Sequence, residues 1–204
     1  MQDFPASLLD GLDLPALEAI SHSAADIKPT NKFANYSTRI SKAWKQARWL
    51  NLNQSPPLHI LNIGMGSGYF LFVCQRLGHS GVGLDRPGFP VWKKVHEWLG
   101  VQSVDHMVTP NTPLPALGRF DLVTAFYCPF NYLDSGKRFW TLAEWSFFFD
   151  HLRDDVLKPS GRVAFELKGA QGEESQISDP AFMQLCVERG GVLKKKLLVF
   201  DPLL

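Results

Sequence analysis

The chain has no patterned cysteines, no excess of one charge and no apolar run of membrane-spanning length, and each lack closes a class of protein. Its three cysteines, Cys74, Cys128 and Cys186, lie far apart with no CxxC or Cys/His spacing. That argues against a disulfide framework and a zinc site and suits a reducing compartment. The six histidines, His22, His59, His79, His96, His106 and His151, are equally scattered, and no metal is expected. With 21 basic and 20 acidic residues the net charge is +1, so no field attractive to a polyanion covers the molecule and nucleic acid is an unlikely partner. The basic run Lys194, Lys195 and Lys196 sits in an apolar, strand-like stretch and reads as charged protection of an exposed edge. No apolar run approaches the ~20 residues that span a bilayer. The opening MQDFPASLLDGLDLP carries acids where a signal peptide carries positive charge. A cytoplasmic protein that does not engage membranes is the expectation.

What remains is a globular composition, 45% hydrophobic and 12% aromatic over 204 residues, enough for one domain with a sizeable core. Residues 1–55 read as a helical extension, with Ile40, Trp44, Ala47 and Leu50 at helical spacing among Arg39, Lys42, Lys45 and Arg48. Ser55-Pro56-Pro57 ends it. Residues 56–204 then alternate strand and helix. Strands are predicted at 58–63, 81–85, 103–108, 120–125, 162–167 and 192–200, with helices at 69–77, 89–99, 138–157 and 179–189. Such alternation predicts an α/β fold, a doubly wound and mainly parallel sheet with helices on both faces. Only one strand, 192–200, follows the fifth, so the sheet is expected to have a shortened C-terminal edge. A homodimer through that apolar edge is a further expectation.

The segment LHILNIGMGSGYFLFVCQRLGHSGVGLD places Gly64, Gly66 and Gly68 between an apolar strand and a helix, with Asp85 ending the next strand. Glycines there permit a tight turn and let a ligand lie against bare backbone, and an acid about 20 residues on can accept both hydroxyl protons of a ribose. A nucleoside-containing ligand is implied. Dinucleotide folds need GxGxxG, whose third glycine falls where this chain has Tyr69, and this disfavours a nicotinamide cofactor.

GxGxG followed by an acid at the end of the second strand resembles the class I S-adenosylmethionine-dependent methyltransferases. RFDLVTAF, residues 119–126, looks like that family's fourth-strand motif, and LRDDVLKPSGRVAFEL, residues 152–167, looks like its last core helix, turn and fifth strand. The resemblance implies a Rossmann-like fold and S-adenosylmethionine as cofactor. It would put Gly64, Met65 and Gly66 against the methionine part, with Gly68 closing the turn, Asp85 on the ribose and Arg86 on the adenine. Thr109 or Asn111 stands where the family often has an acid that accepts from the adenine amino group. Asn62 replaces the acid that usually precedes the first glycine by two residues, and an amide cannot neutralise an ammonium. Phe126 and Tyr127 would wall the methyl group, and Asn131 or Tyr132 would orient a substrate; an aromatic cap over the sheet end is the alternative. Cys128 reads as packing; Glu166 and Lys168, at the end of the fifth strand, either face the pocket or pair with each other, without a catalytic role; His106 reads as a satisfied interior residue, and the aromatic stripe of 138–152 as mostly core, with some of it able to line an apolar substrate pocket. By the resemblance the expected activity is methyl transfer to a small-molecule acceptor. The alternatives are the same chemistry on a protein or RNA, and a non-catalytic cofactor-binding module.

Overall fold

In a computed structural model the chain is described over residues 4–22, 35–133, 138–167 and 175–204, which leaves Asp134 and Lys168 outside the described residues. The central sheet has seven strands: β1 (His59–Ile63), β2 (Ser80–Asp85), β3 (Gln102–Asp105), β4 (Phe120–Cys128), β5 (Leu157–Leu167), β6 (Gly191–Lys194) and β7 (Leu197–Phe200). Their order is β3-β2-β1-β4-β5-β7-β6. The first five pair in parallel, and β7 runs antiparallel to both β5 and β6. The chain therefore starts in the middle, winds outward to β3, and returns across β1 to build the other half. At the β1/β4 boundary the strand order reverses and the segments leaving the two strands run to opposite faces, the place where such sheets form a crevice.

Both faces of the sheet are covered, so the inner strands are apolar on both sides rather than alternating. Ile60, Leu122 and Ala164 belong to a core formed with α2 (Tyr36–Trp49), α3 (Tyr69–Arg76) and α4 (Pro90–Leu99). Leu61, Ile63, Val123, Ala125 and Phe165 belong to the opposite core, formed with α5 (Leu142–His151) and α6 (Pro180–Glu188). The extension docks on the first of these layers. Phe4 and Leu8 are buried, and α1 (Leu14–His22) is tied down where Trp98 Nε1 donates to Asp13 O at 2.7 Å and Arg76 Nη2 to Asp10 O at 2.6 Å.

Two expectations need correction. The helix expected over 138–157 is shorter, because Thr141 and Glu144 form a capping box that fixes its start. Arg138 forks onto Glu144 at 3.0 and 3.2 Å, and Arg138–Phe139 pairs as a short strand with Tyr132–Leu133. The helix leaves through a π turn, Leu152–Val156, straight into β5. The C-terminal run is a hairpin, not one strand. Lys194 pairs with Leu197, and Lys195 turns the chain at φ 62°, a left-handed position usually given to Asn or Gly. The sheet edge is complete, not shortened, and its outer strand β6 exposes Val192 and Leu193.

The aromatic stripe is mostly core, with Leu142 and Phe147 exposed. The Phe130 ring lies 5.4–5.8 Å from those of Trp140, Trp145, Phe148 and Phe165. A buried amide holds this cluster together: Gln176 Oε1 accepts from Trp145 Nε1 (3.0 Å) and Asn131 Nδ2 (2.9 Å), while Gln176 Nε2 donates to Trp140 O (2.7 Å). None of the described helices is long and apolar enough to cross a membrane. Replacing Gln176 by Leu orphans two buried donors and an acceptor, and a loss of about 3 kcal/mol is expected in urea unfolding; a loss below about 1 kcal/mol contradicts this role for Gln176.

Candidate functional site

The turn between β1 and α3 needs three glycines for three reasons. Gly64, at φ 64°, cannot carry a Cβ because Cys128 Sγ fills that space. Gly68, at φ 83°, caps α3 in the left-handed region, and a Cβ there would meet Val101 Cγ2 at 2.9 Å. Gly66, at φ 55°, has nothing within 4 Å of the position a Cβ would take. Of the three, then, only Gly66 turns bare backbone toward open space, the surface a ligand can use. Met65 does not: its side chain is buried and fills the gap left by the missing Cβ of Gly83. Its contribution to a ligand is restricted to its backbone.

The Gly66 peptide is clamped from both sides. Gly66 N donates to Asp85 Oδ2 at 2.6 Å, and Arg86 N donates to Oδ1 of the same carboxylate at 2.8 Å. Each oxygen thus takes one main-chain N–H and keeps a second lone-pair direction for a ligand hydroxyl. Burial pushes the Asp85 carboxyl above its ordinary range, opposed by these two N–H groups and by the nearby His96 and Arg86. From beneath, His96 Nε2 donates to Gly66 O at 2.7 Å while Nδ1 meets Ser103 Oγ at 3.0 Å. A carbonyl only accepts, so the hydrogen is on Nε2, and in the neutral ring Nδ1 accepts from the serine. Burial holds His96 below the ordinary histidine value, with Asp85 among the charges acting against it.

Across the crevice, β4 ends in a bulge. Its register with β5 breaks between Phe126 and Cys128, and Tyr127 sits there at φ 55°, 53% exposed. Bulges of this kind re-aim side chains beside functional clefts. Phe126 packs edge-on against Phe70 of α3, with centroids 4.8 Å apart. Helix α2 overlies this end: Lys42 Nζ is 4.8 Å from the Tyr127 ring centre, and Arg39 acts electrostatically on Tyr69 at the start of α3. Cys128 is no nucleophile. Burial, with the Asp85 charge adding to it, pushes its thiol up to about 12, so it stays protonated at neutral pH.

Other residues singled out from the sequence separate. Asn62 is buried, and its Oδ1 accepts from Thr124 Oγ1 at 3.2 Å. The Arg86 guanidinium lies 4.7 Å over the Phe89 ring, which itself stacks on Trp92. Thr109 and Asn111 lie in the loop 106–119, and Asn111 turns at φ 56°. Asn131 is fully buried in the Gln176 network rather than lining the crevice. His106 is a correction: β3 ends at Asp105, so His106 opens the loop, its N–H donates to Asp85 O at 2.8 Å, and its Nε2 is buried with no partner among the described residues. That places a ring with this buried nitrogen at the start of the loop that follows β3. The sequence signal for His96 is its helical spacing with Trp92 and Leu99 on the inner face of α4. Among the described residues no group of His, Cys, Asp and Glu is arranged to hold a metal.

Two predictions follow from this geometry. Gly66→Ala should cost only about 1–2 kcal/mol, the penalty for a left-handed alanine, while Gly64→Ala adds a collision with Cys128 and should cost about 3 kcal/mol or more in urea unfolding. Equal costs contradict the assignment. Because the folded state lowers the His96 pKa, the unfolded chain binds the proton first as pH drops below the ordinary value of 6.5. The stability that neutral His96 provides is therefore full above that value and lost on acidification. From about pH 7.5 to about pH 5.5 the urea midpoint should fall more in the wild type than in His96→Gln; parallel curves contradict a buried neutral ring.

The chain matches no protein-family model, and no curated protein matches it. Solved structures do. PH0226 from Pyrococcus horikoshii OT3 is similar at 17% identity over 87% of this chain and 93% of its own, with a TM-score of 0.50. The glycopeptide N-methyltransferase MtfA is similar at 14% identity over 79% of this chain and 88% of its own, also with a TM-score of 0.50. With its strand order, its antiparallel β7 and its glycine turn at the first crossover, the chain has the class I methyltransferase fold.

Proposed function

We propose that this chain is an S-adenosylmethionine-dependent methyltransferase acting on a small-molecule acceptor. One observation carries the reading: the bare Gly66 peptide, clamped by Asp85 and His96, lies beside a carboxylate that retains two acceptor directions at the point where strand order reverses. A ribose diol has two hydroxyls to donate there, and a nucleoside needs an approach free of Cβ atoms. Among the sequence candidates, Arg86, Thr109 and Asn111 are the residues for the base, and His106 joins them. When bound, the cofactor supplies a methyl group on a positively charged sulfur, so the protein needs alignment and exclusion of water more than acid–base chemistry. Phe126 and Tyr127 at the β4 bulge supply the walls. The near balance of 21 basic and 20 acidic residues supports a small acceptor over a polyanion. A second reading, cofactor binding without turnover, draws on Asn62, which hydrogen-bonds Thr124 where the family usually has an acid.

Calorimetry with S-adenosylmethionine, S-adenosylhomocysteine and adenosine tests this. All three should bind the wild type, and Asp85→Ala should weaken each by a similar factor, roughly thirty- to a hundredfold, because the lost contact is to the shared ribose. Gly66→Ala should remain folded yet abolish binding. No heat from any of the three ligands overturns the proposal, and binding without release of S-adenosylhomocysteine across an acceptor screen favours the second reading.

A further inference from the structure

Glu166 is the penultimate residue of β5, 8% exposed, and its Oε2 is fully buried with no hydrogen-bond partner among the described residues. It pairs in register with Phe126. Side chains alternate along a strand; Ala164, two residues earlier, faces the α2–α4 core, and Glu166 faces the same way. Phe126 flanks it on β4, and the register that pairs Phe165 with Leu198 brings the buried Leu197 alongside on β7. The acid therefore interrupts an otherwise apolar row at the carboxyl end of the sheet. Burying an ionised carboxylate without a partner costs several kcal/mol, and a carboxylate can only accept. Among the described residues nothing hydrogen-bonds Oε2 that would be lost on replacing the acid with a leucine. A ligand with a cationic donor does gain from the acid.

Position decides which ligand. β5 lies two strands from β1, about 10 Å across the sheet, with Phe126 between Glu166 and the glycine turn. That separates it from the ribose clamp at Asp85 and places it beside the exposed Tyr127 of the β4 bulge. We infer that Glu166 is a specificity-determining residue that holds a protonated amine of the methyl acceptor, whose apolar body lies against Phe126 and Tyr127. This rests on the methyltransferase reading above.

The test uses phenethylamine as probe, with 2-phenylethanol and phenylacetate as neutral and anionic counterparts of the same shape. Binding is read by calorimetry and thermal shift, with and without S-adenosylhomocysteine. In the wild type the amine should bind and stabilise, and the alcohol and the acid should bind at least about tenfold more weakly. Glu166→Gln should weaken the amine by about ten- to a hundredfold while S-adenosylhomocysteine affinity stays within about twofold. Its own Tm should equal or exceed the wild-type value, because an unpaired buried charge has been removed. The inference is overturned by an amine that does not bind, by an alcohol that binds as well, or by amine binding indifferent to Glu166→Gln. A Tm fall of more than about 3 °C overturns it too, since it would reveal an ion pair within the chain. If S-adenosylhomocysteine fails to bind the wild type, the cofactor reading fails by itself, and the amine arm without it still decides Glu166.

Discussion

The short hydrogen bonds that grip one residue, Gly66, by its N–H and its C=O set the geometry of everything around the crevice. Asp85 takes its N–H from the end of β2, and His96 supplies a donor to its carbonyl from α4. A glycine turn left to itself is the most entropically free part of a chain. Here that freedom is removed by two side chains, a carboxylate from β2 and an imidazole from α4, that fix the residue within the chain itself. Because His96 is buried, it serves as a neutral donor rather than a charge, and because both oxygens of Asp85 are engaged by main-chain N–H groups, the acid stays oriented despite the cost of its burial. The turn is thus held in place by the chain's own groups.

The two ends of the sheet are used differently. At the amino end Asp121 accepts from His59 N at 2.7 Å and from Lys158 Nζ at 2.8 Å, stitching β1, β4 and β5 together. The phenylalanine-aspartate pair of the fourth-strand motif is therefore a stabilising element remote from the crevice. At the carboxyl end the polar groups are different in kind: Asp85 with remaining acceptor capacity, His106 Nε2 and Glu166 Oε2 without partners among the described residues, and Tyr127 in a left-handed conformation. The amino end, by contrast, pairs its carboxylate within the chain.

Much of this was legible in order along the chain. Apolar runs of five or six residues alternating with helical periodicity announced a doubly wound sheet, and GxGxG with an acid in phase marked its crevice. The errors have local causes. The hairpin of β6 and β7 was hidden because Lys195 and Lys196 turn the chain where Asn-Gly would have signalled a turn. The long helix was overdrawn because the Thr141–Glu144 cap lies inside an aromatic run that looks helical throughout. Met65 and Asn131 looked like site residues from their neighbours in sequence, but packing turned one onto Gly83 and the other onto Gln176.

The amino-acid sequence by itself determined the fold class, the place of the crevice and the acid beside it, because those depend on periodicity and on spacings shorter than one strand-helix-strand unit. Only the tertiary structure decided which glycine is open, that His96 holds the turn from a helix 30 residues away, and that Glu166 Oε2 is buried with no partner among the described residues. Such facts arise from contacts between segments distant in sequence, and whether a side chain is filled against, hydrogen-bonded or left alone is settled only when those segments meet.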